Sequence, residues 1–182
     1  MPTLNNNIIT GYNPLDFEKR IATFLREIFS NLTIPDPVTG VAKKINVYES
    51  EFPERDVKKR NELSPYCIAQ FCRYYYSDDS PVFVGRVIIS TYGNNTSVNR
   101  QNNEIIGGHI VNKLIENPLQ SLNPFTVYSK GKYRTLYQLV EQQPTSLYIF
   151  GFVQFFALPY LNSNVQNIDE ILQNIYLRNY LY

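Results

Sequence analysis

Leu147–Pro159 reads LYIFGFVQFFALP, and the interpretation of this run decides the fold. It is apolar almost end to end and rich in aromatic and β-branched residues, with Gln154 its only polar side chain. A helix crossing a bilayer needs about 20 such residues, so the run is too short for that. Its length and composition instead predict a strand buried on both faces in the middle of a sheet. Gly151 leaves space for another backbone or a bulky neighbour. Pro159 has no N–H to donate and ends the pairing.

Working outward, Gln142-Gln143-Pro144-Thr145 is a hairpin turn leading into this strand. Tyr133 to Glu141 precedes it, with Tyr133, Thr135, Tyr137 and Leu139 alternating against Arg134, Leu136, Gln138 and Val140. Before that come a turn, Ser129 to Lys132, and a short strand, Phe125 to Tyr128. A helix is predicted over Asn99–Glu116, capped by Ser97 or Thr96 and ended by Asn117-Pro118, with Ile105, Ile106, Ile110, Val111 and Leu114 as its apolar stripe. Gly107-Gly108 inside it weakens it by ~2 kcal/mol relative to alanines, which implies close packing on the sheet or on a neighbouring chain. His109, the sole histidine, has no partner at ligand spacing and reads as structural.

Tyr66 to Tyr76 and Val82 to Tyr92 form a long hairpin around Ser77-Asp78-Asp79-Ser80-Pro81. Tyr66, Ile68, Gln70, Cys72 and Tyr74 share one face of its first strand; Cys67, Ala69, Phe71, Arg73 and Tyr75 share the other. Arg86 interrupts an otherwise dry second strand and is expected to reach an edge or pair with a carboxylate. Upstream, Ser50 to Pro65 is the most charged stretch and reads as a solvated loop, either a spacer or an arm that orders on a partner. Lys44 to Glu49 is a short strand with Ile45 and Val47 inward. Asn13-Pro14 opens a first helix whose apolar face is Phe17, Ile21, Phe24, Leu25, Ile28 and Leu32, and Ile34 to Gly40 stops it and turns the chain.

Together these elements predict an α+β fold: a mostly antiparallel mixed sheet with two helices packed on one face, spanning residues 1–159. Residues 160–182 read as a helical extension. Ile168, Ile171, Leu172 and Ile175 lie on one side of an amphipathic helix over Val165 to Leu177, which packs on its own domain or on a neighbour.

Composition narrows function. With 182 residues the chain suffices for one domain and a short appendage. Fifteen Tyr and eleven Phe without Trp point mildly to assembly, because a Tyr ring suits places dry at one end and wet at the other. A net charge of +1 supplies no global field for nucleic acid. Cys67 and Cys72 face opposite sides of one strand, cannot bridge each other, and fit a reduced, cytoplasmic setting. The first residues lack a signal-peptide pattern, and no apolar run is long enough to cross a membrane. One histidine and two separated cysteines do not make a metal site. There is no phosphate-binding glycine loop and no nucleophile elbow. No catalytic residue, metal or cofactor is expected, and the chain reads as a non-enzyme.

In order along the chain come Val47-Tyr48, Phe52-Pro53, Ser64 to Ile68, Val87 to Tyr92, His109 to Pro118, Phe125 to Val127, Glu141 to Pro144 and Tyr148 to Val153. Across Ile45 to Pro159 this pattern resembles the tail terminator (tail completion, or head–tail joining) proteins of long-tailed phages. The helix ending Leu-Ile-Glu-Asn-Pro and the EQQP turn followed by an aromatic strand are its most telling parts. That family often carries Trp where this chain has Tyr133 and Tyr137, and its C-terminus usually stops soon after the last strand, so residues 160–182 are extra.

The resemblance implies a structural virion protein at the head–tail junction, assembled in the host cytoplasm. It would form a homo-oligomeric, hexameric ring that caps the tail tube protein, docks on the neck or head-completion protein, and passes genomic DNA through its lumen without sequence specificity or any membrane. A neck stopper or adaptor between portal and tail is the alternative, and a small host enzyme or nucleic-acid-binding module is a third class. Lys130, Lys132 and Arg134 are the candidates for the DNA lumen. Glu51, Phe52, Arg55, Lys58, Lys59 and Arg60 in the charged stretch are candidate partner contacts. So are Ile168, Ile171, Leu172, Ile175, Tyr180 and Tyr182 in the extension.

Overall fold

The computed structural model describes residues 14–51, 57–77, 80–118, 120–128, 136–141 and 147–159. Helix α1 (Pro14–Ile28) buries Phe17, Ile21, Ala22, Phe24 and Leu25, the helical spacing expected of it, while Ile28 and Leu32 are half-buried at its far end. The segment read as a simple stop is a small hairpin: β1 (Thr33–Pro35) pairs antiparallel with β2 (Ala42–Lys44). Asp36 closes its turn by accepting from the N–H groups of Val38 (2.9 Å) and Thr39 (2.8 Å), and Lys43 Nζ lies 2.6 Å from the same carboxylate. That hydrogen bond to Lys43 holds the Asp36 carboxyl well below its ordinary range.

Strand β3 (Asn46–Glu49) runs parallel to the first four residues of β4 (Tyr66–Ser77). Parallel neighbours need a long crossover. The charged stretch supplies it, and it is not all loop: Val57–Glu62 forms a short helix, α2. Ile45 is buried and Val47 packs on the core, both inward as expected.

Strands β4 and β5 (Ser80–Tyr92) form the long predicted hairpin. The register shifts between Phe71 and Arg73, so Cys72 is the extra residue of a bulge and the expected alternation holds only as far as Phe71. Cys67 is buried and Cys72 exposed, and both are free thiols.

Strand β8 (Tyr148–Pro159) lies inside the sheet, as the opening run predicts. One edge pairs with β5. The other is shared end to end by β7 (Leu136–Glu141), opposite Ile149–Gln154, and β6 (Phe125–Tyr128), opposite Phe156–Pro159. Among the described strands the sheet order is β3-β4-β5-β8-β6, with β7 also on β8, and only the β3–β4 pair is parallel. The fold class is therefore the expected α+β.

Burial on both faces of β8 is not what the structure has. Ile149, Gly151, Val153, Phe155 and Ala157 are buried, whereas Tyr148, Phe150, Phe152 and Phe156 are half-buried and Gln154 is exposed. Both described long helices pack on the first of these faces, and their side chains join it in one core.

Helix α3 (Thr96–Glu116) begins three residues earlier than predicted. Its cap is Asn95, whose side chain accepts from the Val98 N–H at 3.2 Å. Ile106, Ile110 and Leu114 are buried and Val111 packs against the core, but Ile105 is 44% exposed. The rest of the buried face is polar: Asn99, Asn102 and Asn103. Asn103 donates to the Ile149 carbonyl (3.0 Å) and accepts from the Tyr137 hydroxyl (2.9 Å), while Asn99 donates to the Leu147 carbonyl (2.8 Å). Gly151 makes this approach possible, since a Cβ there would collide with the Asn103 side chain and the Tyr137 ring. Gly107 packs on the same Tyr137 ring, but Gly108 faces open space, so the tight-packing expectation holds for one glycine of the two. His109 is structural as read: its Nε2 donates to the Ile28 carbonyl (3.1 Å), and its ring stacks on Phe29. The expected C-terminal helix lies outside the described residues.

Candidate interaction surface

Strand alternation divides the sheet into a helix-covered inner face and an outer face. Across the outer face, cross-strand register lines up one row, Gln70 on β4, Arg86 on β5, Gln154 on β8 and Leu136 on β7. Among the described residues no carboxylate pairs with Arg86. It stands on an interior strand, donates to the Gln70 Oε1 at 2.9 Å, and lies over the Phe152 ring, 5.5 Å from its centroid. Its Nε is buried with no hydrogen-bond partner among the described residues. A cation that is partly out of water and faces two neutral amides is an attractive site for an anionic group.

On one side of this row the outer face is closed by its own chain. Tyr66, Ile68 and Ile88 are buried beneath Tyr48, Leu63, Phe150 and Phe152. Tyr148 packs on Tyr92 and stacks on Phe150. On the other side a cleft of about 470 Å³ opens between Arg86, Arg73, Gln70, Gln154, Cys72 and Glu18.

Among the described residues, the rim of the cleft is a sheet edge that β3 covers only in part. Among the described residues β3 pairs β4 only as far as Ala69, whose carbonyl accepts from the Ser50 N–H at 2.9 Å. Ser50 then takes a positive φ of 62° and turns the chain away. The next edge donor, the Phe71 N–H, is taken by the Glu18 carboxylate of α1 at 2.8 Å, and Ser50 Oγ donates to the other oxygen of that carboxylate. Past the bulge, β4 continues to Ser77 paired with β5 alone among the described strands.

Burial pushes the Cys72 thiol up, opposed by the charges of Arg86 and Arg73. Burial also raises the Cys67 thiol and the Tyr48 and Tyr137 phenols, Tyr137 with help from Glu104. No group of three or more His, Cys, Asp or Glu side chains that could hold a metal ion occurs among the described residues. No helix among them is long and apolar enough to cross a membrane.

Few of the sequence candidates fall on this surface. Glu51 and Lys59 are exposed, and Lys58 and Arg60 belong to the backbone of α2. Phe52, Arg55, Lys130, Lys132, Arg134, Ile168, Ile171, Leu172, Ile175, Tyr180 and Tyr182 lie outside the described residues. Sequence reasoning marked Arg86 as an anomaly but missed Gln70, Gln154 and Glu18. The available signal was a polar residue within an apolar run of each strand, and only register shows that Gln70 and Gln154 flank Arg86. Neither a protein-family model nor a curated protein sequence matches the chain.

Proposed function

We propose that this chain is a structural virion protein, a tail terminator whose copies form a ring on the end of the tail tube and join the tail to the neck. The reading draws on the motif pattern across Ile45 to Pro159. The observation that carries it is the one-sided sheet: the described long helices pack on one face, while the other offers half-buried aromatics and a charged cleft beside a rim of β4 that no described strand covers past Ala69. Unfinished strand edges and half-buried aromatic faces are surfaces through which chains add to one another. In this reading the protein acts sterically. One face of the ring continues the tube and the opposite face does not, so growth ends there, and DNA passes through the lumen without sequence-specific contacts.

The test mixes the purified chain with polymerised tail tube protein and, separately, with portal protein, and images both by negative-stain electron microscopy. Six-fold rings at tube ends are the expected result. Binding to the portal alone overturns the terminator reading in favour of a stopper or adaptor. Absence of binding to either overturns the virion reading.

A further inference from the structure

Two hollows on the outer face share a wall. The cleft beside Arg86 takes in Gln154, and Gln154 also lines a smaller hollow of about 130 Å³ between Leu136, Gln138, Phe152 and Phe156. Register fixes the wall, since Gln154 pairs with Arg86 on one side and with Leu136 on the other. Phe152 links the two as well: its ring lies under the Arg86 guanidinium and lines the smaller hollow. One end of this surface is cationic. Arg86 Nη2 donates to Gln70, and Nε is buried without a hydrogen-bond partner among the described residues, so Nη1 is the donor left to face the cleft. Arg73 adds a second positive charge to the lining. The Glu18 carboxylate in that lining already accepts from the Phe71 N–H and the Ser50 hydroxyl, and the Gln70 amide nitrogen donates to the Ser50 carbonyl at 3.0 Å. The other end is apolar: Leu136 is 62% exposed, and Phe152 and Phe156 are half-buried.

We propose that this face binds an extended segment of a partner polypeptide in which an acidic residue and a bulky apolar residue stand two positions apart, the carboxylate meeting Arg86 and the apolar side chain entering the hollow beside Leu136. Charge selects the acid. A guanidinium partly out of water, with a donor unused, gains most from a carboxylate, because charge-assisted hydrogen bonds are the strong ones. Spacing selects the second residue. The hollow lies between β8 and β7, one and a half strand spacings from β5, which is about 7 Å at about 4.8 Å per spacing. Side chains at i and i+2 of an extended chain point to one side, about 6.7 Å apart. Size argues for a peptide over a lipid. The hollow of about 130 Å³ takes one side chain and is far below the roughly 300 Å³ at which ligand pockets begin. The inference does not rest on the virion reading, since it uses only this surface and a peptide.

The probe is acetyl-Glu-Ala-Phe-amide, titrated into the ¹⁵N-labelled full chain. Saturable NMR shifts of the Gln154 side-chain amide and the Leu136 backbone amide are expected, with slower maleimide labelling of Cys72, which is exposed in the cleft. Replacing the peptide's Glu by Gln should weaken binding about tenfold, the loss of one charge-assisted hydrogen bond. Arg86→Gln should bring the Glu peptide down to that level and leave the Gln peptide unchanged. As a second variant at an exposed position, Leu136→Ser should weaken the Phe peptide about threefold and leave an analogue with Ser in place of Phe unchanged. The inference is overturned if no saturable shift appears up to about 10 mM peptide, a limit set by the weakness of so small a contact. Equal affinities for the Glu and Gln peptides overturn it too. Inorganic phosphate binding as tightly as the peptide would reduce the cleft to a general anion site, and hexanoate doing so would make the ligand lipid-like; either result overturns the peptide assignment.

Discussion

The Glu18 carboxylate accepts a hydrogen bond from the Phe71 backbone N–H at 2.8 Å, so a helix side chain ends a row of strand pairing. The donor lies at the sheet rim just past the last residue paired with β3. The carboxylate satisfies a group that would otherwise recruit another strand. Glu18→Ala should therefore lower stability by about 1–3 kcal/mol, the range for a charge-assisted hydrogen bond, and speed amide exchange at Phe71. Urea denaturation and exchange measured by NMR check both, and self-association of the variant should rise.

Neighbouring glycines of α3 should respond with opposite signs. Gly107→Ala drives a methyl into the Tyr137 ring and is expected to destabilise by about 1–3 kcal/mol. Gly108→Ala meets nothing and should stabilise by up to about 1 kcal/mol through helix propensity. The Gly107→Ala loss should shrink in a Tyr137→Leu background, which thermal unfolding of the double-mutant cycle reads directly.

Asn103 is fully buried, and its amide is spent on both β5 and β8: it donates to Ile149, more weakly to Ile89 (3.3 Å), and also to the Thr91 hydroxyl (3.2 Å). Asn103→Leu strands the Tyr137 hydroxyl and overfills the space next to Gly151. A loss of about 2–4 kcal/mol is expected, combining unsatisfied polar groups with overpacking. Denaturant midpoints measure it.

Asp36 gives the stability a defined acid limb. Its folded pKa lies below the unfolded value of about 3.9, so its contribution is fully present above that pH and is lost as pH falls toward the folded pKa. Asp36→Asn should flatten stability below about pH 4 and lower it at pH 7, where the Lys43 contact is gone. Urea midpoints from pH 2.5 to 7 test both statements.

Cys72 should react with iodoacetamide in the native state and Cys67 only after unfolding. Burial holds the Cys72 thiol above its ordinary value, so its rate should climb about tenfold per pH unit from pH 7 to 9 with no plateau. Peptide mass spectrometry with timed quenching follows each site.

What the sequence revealed follows from which forces act locally. The apolar faces of α1 and of the β4–β5 hairpin obey short periods, and the central place of β8 shows in a hydrophobic run that Gln154 alone interrupts. The burial of Asn99, Asn102 and Asn103 could not be read, because asparagines mark a solvated face unless distant carbonyls and hydroxyls come to meet them. The parallel alignment of β3 with β4 was hidden for a related reason: strand direction depends on what a crossover does, and a charged crossover has no periodicity to read. The three-residue strands of the β1–β2 hairpin are too short to alternate. The candidate surface was legible only as isolated oddities, since Gln70, Arg86 and Gln154 become neighbours through register alone.

One margin of the sheet is split, with β7 and β6 laid in series along β8 and Phe155 at the seam. A continuous strand carries a tug at one end through to the other as a change of register. A divided one is a mechanical fuse. Force applied at Thr126 would unzip four residues and leave Leu139 in place, so this side of the protein can yield locally while the β5–β8 spine keeps its alignment.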